Sequence, residues 1–332
     1  MSYDIICSGD DMNILFVTTG GTIMSESTAN GLAPMNKAGG LFSLVPEIDN
    51  LCKTSEISVC SIDSTNMTPE IWLKIAETIK ANYSAFDGFI VCHGTDTLAY
   101  TAAALSYMLQ GSQKPIAITG SQKPITAPDT DARRNLLDSI AFVCDKNAHG
   151  VAVVFNGKVI DGKCAKKLRT KSNDAFESIN RPLIGKIKDG KVTFIAGCKA
   201  CEKSPFYIKL NPSVFLLKLV PGLFSGVIPY ILERYSCLIL EGFGTSGIPK
   251  DIAEAINNYP KISGKIIVFT SQAYYEGTDV SLYAVGHQLS KDIIFLEARE
   301  MTSESVYVKM MWLLAKEKTT TEEITALFYK EQ

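Results

Sequence analysis

The sequence contains no apolar run that approaches the roughly 20 residues a membrane-spanning helix needs. It also lacks a basic, apolar leader. The opening residues, MSYDIICSGDD, carry acids, no basic residue and only a three-residue apolar run, which is unlike a secretory signal. These absences lead to the expectation of a cytoplasmic protein with no membrane partner. An excess of charge is missing too. Lys and Arg number 33 against 35 Asp and Glu, a formal net charge of −2. No basic field is left to attract a nucleic acid. The nine cysteines are scattered and odd in number, which suits a reducing compartment. The one close pair, Cys198 and Cys201, has neither a second pair nor a nearby histidine and reads as two ordinary thiols in a loop. There is no internal repeat and no low-complexity tract.

What is present is a chain of 332 residues, long enough for a large core and most naturally two domains. Apolar and polar patterns alternate through its first half. NILFVTT (13–19), FDGFIVCHG, PIAITG and GVAVVFNG read as buried strands. Between them, PEIWLKIAETIK is amphipathic, with Ile71, Ile75 and Ile79 on one face and Pro69 at a favourable helix start. TLAYTAAALSYML places Leu98, Ala102, Leu105 and Leu109 on one face, and DARRNLLDSIAFVC is a third helix. Alternation of this kind implies right-handed crossovers and a mainly parallel sheet. A Lys-rich polar segment and a hairpin turning at Asp189-Gly190 follow. Further on, VFLLKL, CLILEGFG and KIIVFTSQ read as strands and KDIAEAINNY, ESVYVKMMWLLAKE and EEITALFYK as helices. The expected fold is α/β with two α/β domains: a larger N-terminal one over 1–197 with a mainly parallel sheet and a hairpin, a linker over 198–213, and a smaller parallel one over 214–332.

Two strand ends carry the chemistry. VTTGGTI (17–23) closes the first strand with a Gly-Gly turn. It matches neither G-x-G-x-x-G nor a Gly-Lys-Ser/Thr phosphate loop. Glycines there permit a sharp turn and close approach of a ligand; a tight turn with a capping threonine explains the motif equally well. VCHGTDT (91–97) ends a second strand just before a helix, so both motifs lie beyond the carboxyl edge of one sheet, where ligands bind in open α/β folds. Thr95 and Thr97 are good N-cap types and Asp96 suits a helix N-terminus. That explains the helix start but not a hydroxyl and a carboxylate facing a second hydroxyl.

Taken together, TGGTI and HGTDT resemble the asparaginase family, threonine amidohydrolases acting on L-asparagine. DSTNMTPEIW (63–72), TGSQKP (119–124) and EGFGTSGIP (241–249) fall in family order, so the resemblance spans nearly the whole chain. With no signal peptide, it is similar to the cytoplasmic, type I branch. The resemblance implies Thr22 as nucleophile and Thr95, Lys167 and Asp96 as a proton-handling triad, with Lys166 the alternative to Lys167. It implies Asp63, Ser64, Thr95 and Asp96 as substrate-binding residues and Ser121 at the amide end of the pocket. A threonine hydroxyl needs a base at neutral pH, and a lysine can relay a proton through Thr95. No metal or organic cofactor is required. His93 reads as a packed histidine; His149 and His287 look peripheral.

One position departs from the family. The loop after TGGTI usually brings a tyrosine over the nucleophile, and here Leu32 stands about there. Tyr283, in SLYAVG, resembles the tyrosine of a Y-A-x-G element presented to a neighbouring subunit's site, so a homo-oligomer (dimer or tetramer) with Tyr283 acting in trans is expected; Tyr274 and Tyr275 are second choices. Two other readings stay open. One is a glutaminase or an ammonia-releasing amidotransferase component, which usually carries an extra N-terminal domain that the dozen residues before the first strand leave no room for. The other is a non-catalytic amino-acid sensor.

Overall fold

The computed structural model describes residues 12–28, 31–34, 44–196, 204–280, 293–316 and 320–330. The chain divides into two compact units, Met1–Ile208 and Lys209–Gln332.

In the first unit, β1 (Asn13–Gly20) runs into a 3-10 turn at Thr22–Met24 and then a small antiparallel pair, β2 (Ser25–Thr28) with β3 (Gly31–Pro34). A parallel series follows: β4 (Lys53–Ile62), α1 (Pro69–Ala81), β5 (Gly88–Cys92), α2 (Leu98–Met108), β6 (Pro115–Thr119), α3 (Ala132–Val143) and β7 (Gly150–Phe155). β8 (Lys158–Asp161), β9 (Ala165–Lys167), β10 (Phe176–Ser178), β11 (Gly185–Lys188) and β12 (Lys191–Phe194) complete the unit. The main sheet has eight strands in the order β12-β11-β8-β7-β6-β5-β1-β4. β4, β1, β5, β6 and β7 are mutually parallel, while β8, β11 and β12 add antiparallel. β9 and β10 pair separately.

Continuous apolar runs make β1, β5 and β6 buried along nearly their whole length. Ile14, Phe16 and Ile90 meet Leu136, Ile140 and Phe142 of α3 in one core cluster. Each such side chain contributes roughly 1.5–3 kcal/mol on burial. α2 is buried nearly all round rather than on one face: Ala99, Ala103, Ala104 and Ser106 are covered as well as Leu98, Ala102 and Leu105. Its run of small residues lets neighbours close over every side.

Two expectations need correction. The segment after TGGTI is not a plain loop: Ser27 pairs with Leu32 and Thr28 with Gly31 in an antiparallel strand ladder. The strand read over GVAVVFNG stops at Phe155, and a further strand, β8, precedes the Lys-rich segment. Asn156 (φ 49°) and Gly157 (φ 76°) make a two-residue hairpin turn from β7 to β8. The turn expected at Asp189-Gly190 is present between β11 and β12, with φ of 51° and 76°.

The second unit holds β13 (Val214–Lys218), α4 (Val227–Arg234), β14 (Cys237–Gly242), α5 (Lys250–Asn257), β15 (Ile266–Ser271), β16 (Ile294–Glu297), α6 (Ser303–Leu314) and α7 (Thr321–Lys330). Its four strands pair in chain order and all in parallel. Leu238, Leu240, Ile267 and Phe269 pack against Ile228, Ile231, Ile252 and Ile256. β16 extends the three strands read from the sequence. Among the described residues no helix is long and apolar enough to cross a membrane. Cys198 and Cys201 lie outside the described residues.

Candidate active site

Because β1, β5 and β6 are parallel neighbours, their carboxyl ends emerge at one sheet edge. VTTGGTI, HGTDT and TGSQKP therefore meet there. The three threonines of the first motif divide their work. Thr18 and Thr19 are buried; Thr18 donates to Glu56 Oε1 at 3.1 Å and Thr19 to the Cys92 carbonyl at 3.1 Å. Both fix β1. Thr22 starts the 3-10 turn and faces a cavity.

The two glycines explain the turn. Gly20 and Gly21 have φ of 93° and 77°, which side chains rarely adopt. A Cβ on Gly21 would also lie 2.5 Å from Gly94 Cα and N. Gly94 is hemmed in turn: its Cβ would stand 2.7 Å from Ser64 Oγ. The strand-end loops approach at backbone distance, so only glycine fits the contact.

The cavity, of about 120 Å³, is lined by Thr22, Ser25, Asp63, Ser64, Thr95 and Asp96 together with Gly20, Gly21, Met24, Ser61, Ile62 and Gly94. Hydroxyls and two carboxylates converge on a space suited to a small polar ligand with a cationic group. Ser64 is buried, and Asp63 caps the short turn after it by accepting from Thr65 N at 2.8 Å. Ser25, not singled out from the sequence, donates to the Gly21 carbonyl at 2.9 Å and braces the Thr22 turn; its place three residues after Thr22 is the signal that could have found it.

Beyond β5, His93 is buried. Trp72 Nε1 donates to Thr101 Oγ1 at 2.8 Å, and Thr101 bonds His93 Nε2 at 2.8 Å. His93 Nδ1 lies 2.7 Å from the Gly94 carbonyl. A carbonyl only accepts, so Nδ1 carries the proton, Nε2 accepts from Thr101, and the ring is neutral. Burial holds its pKa down at about 4, against the raising effect of the Gly94 bond. His93 is thus a packed, hydrogen-bonded ring. Thr97 sits at the N-cap of α2 but its side chain makes no cap bond; it donates instead to the Ser64 carbonyl at 2.7 Å, tying two walls of the cavity.

Lys167, at the end of β9, reaches Thr95 Oγ1 at 2.8 Å and Asp96 Oδ1 at 2.6 Å. The lysine side chain is 15% exposed and Asp96 57%, so the pair shelters its cation and offers its anion to the cavity mouth. Lys166 is the preceding strand residue, and because side chains alternate along a strand it stands on the opposite face from Lys167. Ser121 is fully buried, donates to the Lys123 carbonyl and does not line the cavity. Its neighbour Gln122, which sequence reasoning passed over, touches the site instead: Thr95 Oγ1 donates to its Oε1 at 3.1 Å. The buried Asp131 accepts from Gln122 N at 2.9 Å and Lys123 N at 3.0 Å, fixing that loop from behind.

Tyr283 lies outside the described residues, as does His287, and so does the side chain of Leu32. Tyr274 and Tyr275 are exposed on the second unit.

Residues 13–198 match the family Asparaginase, N-terminal, and residues 213–328 match the Glutaminase/Asparaginase C-terminal domain. The chain is 33% identical over 308 residues to an L-asparaginase of Thermococcus kodakarensis, covering 91% of this chain and 93% of that one. It is also 33% identical over 316 residues to a component of the glutamyl-tRNA(Gln) amidotransferase of Pyrococcus furiosus, covering 91% of this chain and 72% of that one. The fold superposes on the solved thermostable L-asparaginase from T. kodakarensis with a TM-score of 0.86 at 32% identity, covering 96% and 97% of the two chains.

Proposed function

The chain belongs to the asparaginase family, and from that premise we propose that it hydrolyses the side-chain amide of L-asparagine, giving L-aspartate and ammonia. The observation that carries this reading is the Lys167 amine held at 2.8 Å from Thr95 and 2.6 Å from Asp96, on two residues that share a cavity with Thr22.

Thr22 Oγ1 attacks the amide carbon. Its proton passes through the Thr95–Lys167 pair to the departing nitrogen, the C–N bond breaks, and ammonia leaves. The β-aspartyl ester on Thr22 is then opened by water, whose proton returns along the same path. Backbone N–H groups of the loop before α2 stabilise the developing oxyanion, while the Gly21 N–H is committed to the Ile62 carbonyl at 3.0 Å and holds the turn in place. Asp96 and Asp63, the carboxylates on the cavity wall, suit the substrate's α-ammonium. Ser64 binds beside them. Ser121, buried behind the wall, supports the loop that carries Gln122.

A second reading, glutamine as the amide source, is favoured by the equal identity to the amidotransferase component. A pocket excludes one extra methylene by only about 1–3 kcal/mol, so weak glutamine turnover is compatible with the first reading. Ammonia release measured with each amino acid separates the two. Faster turnover of asparagine supports the proposal; equal or faster turnover of glutamine overturns the preference. Saturable asparagine binding without ammonia would mark a sensor.

A further inference from the structure

The hydrogen bonds around Thr95 have a forced direction. Lys167 is a donor, so Thr95 Oγ1 accepts from it at 2.8 Å. The single Thr95 proton then goes to Gln122 Oε1, at 3.1 Å. Gln122 in turn has no freedom to flip. Its Nε2 faces the Ser172 carbonyl at 3.1 Å and the Arg169 carbonyl at 3.4 Å, two groups that only accept. Its own N–H is held by Asp131, and the Gly120 carbonyl two residues earlier accepts from the buried Asn135 at 2.9 Å. The Gln122 oxygen therefore points at Thr95 by construction.

We propose that Gln122 is a positioning residue for the Thr95–Lys167 pair. It accepts the hydrogen bond of the resting Thr95 hydroxyl, turns the Thr95 oxygen toward Lys167, and leaves the remaining Thr95 lone pair to accept a hydrogen bond from the cavity. Gln122 itself does not line the cavity, so it acts through Thr95 and not on substrate. Its amide also ties the segment just after Lys167 to the TGSQKP loop, so the lysine and its hydroxyl partner are set from the same side chain. The inference rests on the reading of Thr95 and Lys167 as the proton-handling pair of an amide hydrolase.

The test uses the full chain, L-asparagine and release of ammonia. Gln122→Met keeps the side-chain length and removes both the acceptor and the donor. Gln122→Asn is one methylene too short to reach. Gln122 is only partly buried, so both variants fold, which thermal unfolding verifies. Each lowers kcat by roughly 3- to 10-fold, the loss of about one neutral hydrogen bond, and changes KM by less than about twofold. Thr95→Ser keeps the hydroxyl but removes the methyl group that stiffens its χ1, leaving the hydrogen bonds to Gln122 and Lys167 as the restraints on that hydroxyl. In the Thr95→Ser background Gln122→Met then costs at least roughly threefold more than the product of the single losses, because the two side chains act on one hydroxyl. A purely structural support of the loop gives losses that simply multiply, and that result, or a raised KM at unchanged kcat, overturns the proposal. Thr95→Val separates the layers: if it retains turnover, the role of Thr95 itself falls and that of Gln122 with it, whereas an inactive Thr95→Val with multiplicative losses refutes Gln122 alone.

Discussion

Replacing Gly21 by alanine tests how the first motif is built. Gly21 has φ of 77° and ψ of 179°, a region that is essentially glycine-only and costs about 1–3 kcal/mol for another residue. The new Cβ would stand 2.5 Å from Gly94 Cα and N, which are backbone atoms and cannot swing aside. Overpacking of that kind costs a further 1–3 kcal/mol or so. The two together come to about 4 kcal/mol, or roughly 8–16 °C in Tm for a unit of this size. The control is Gly150→Ala, also at positive φ (68°) but with nothing within 4 Å of the added carbon. It carries the backbone strain without the clash. Gly21→Ala therefore melts several degrees below Gly150→Ala. At a temperature where both are folded, Gly21→Ala also loses roughly 100-fold in kcat, because the displaced turn carries Thr22 with it. Equal melting of the two variants, with full activity in Gly21→Ala, would refute the close-approach argument.

Other outcomes follow from the same geometry. Lys167→Met leaves the fold standing and removes at least roughly 100-fold of kcat by steady-state ammonia release, since the base contribution is about that size; a loss under threefold contradicts the proton path. His93 is neutral in the fold with a pKa of about 4 against 6.5 when free, so the unfolded chain binds the extra proton first. Stability is complete above about pH 6.5 and falls as pH drops toward 4, by up to about 3 kcal/mol; urea unfolding at pH 7.5 and 4.5 shows this slope, and His93→Gln flattens it, whereas an equal slope in both proteins assigns the acid sensitivity elsewhere. For Tyr283, proposed to enter a neighbouring copy's site, Tyr283→Phe cuts turnover without dissociating the oligomer. Mixing it with Thr22→Ala chains restores part of the activity; no recovery after verified exchange of chains rejects the in-trans tyrosine.

The elements legible in the sequence were those with a strong period or a continuous apolar run: β1, β5 and β6, and the helices α1 and α3. β4 was missed because it is an edge strand whose residues alternate between exposed and half-buried and include Lys53, Ser55 and Glu56, so no apolar run marks it. β9 and β10 are three residues each, below the length at which any period shows. β8 had a usable signal, the Asn156-Gly157 dipeptide, inside a stretch read as one strand and a polar segment. At the site, spacing and motif placed Thr22, Thr95 and Asp96 at one sheet edge, because parallel strands send their ends the same way. Lys167 was reachable only through the family resemblance, since it comes to Thr95 from 72 residues away on a short strand. Gln122 could not be told from Ser121 by sequence: both stand in TGSQKP, and which one turns inward depends on Asp131 and the carbonyls of Arg169 and Ser172.

The central claim is covalent catalysis by Thr22, and trapping the intermediate tests it most directly. Protein mixed with L-asparagine, quenched in acid during turnover and digested, is expected to carry an aspartyl ester on the peptide that contains Thr22, and Thr22→Ala is expected to show neither the ester nor ammonia release. Undiminished ammonia release by Thr22→Ala, or an aspartyl ester found on a different residue, would contradict it.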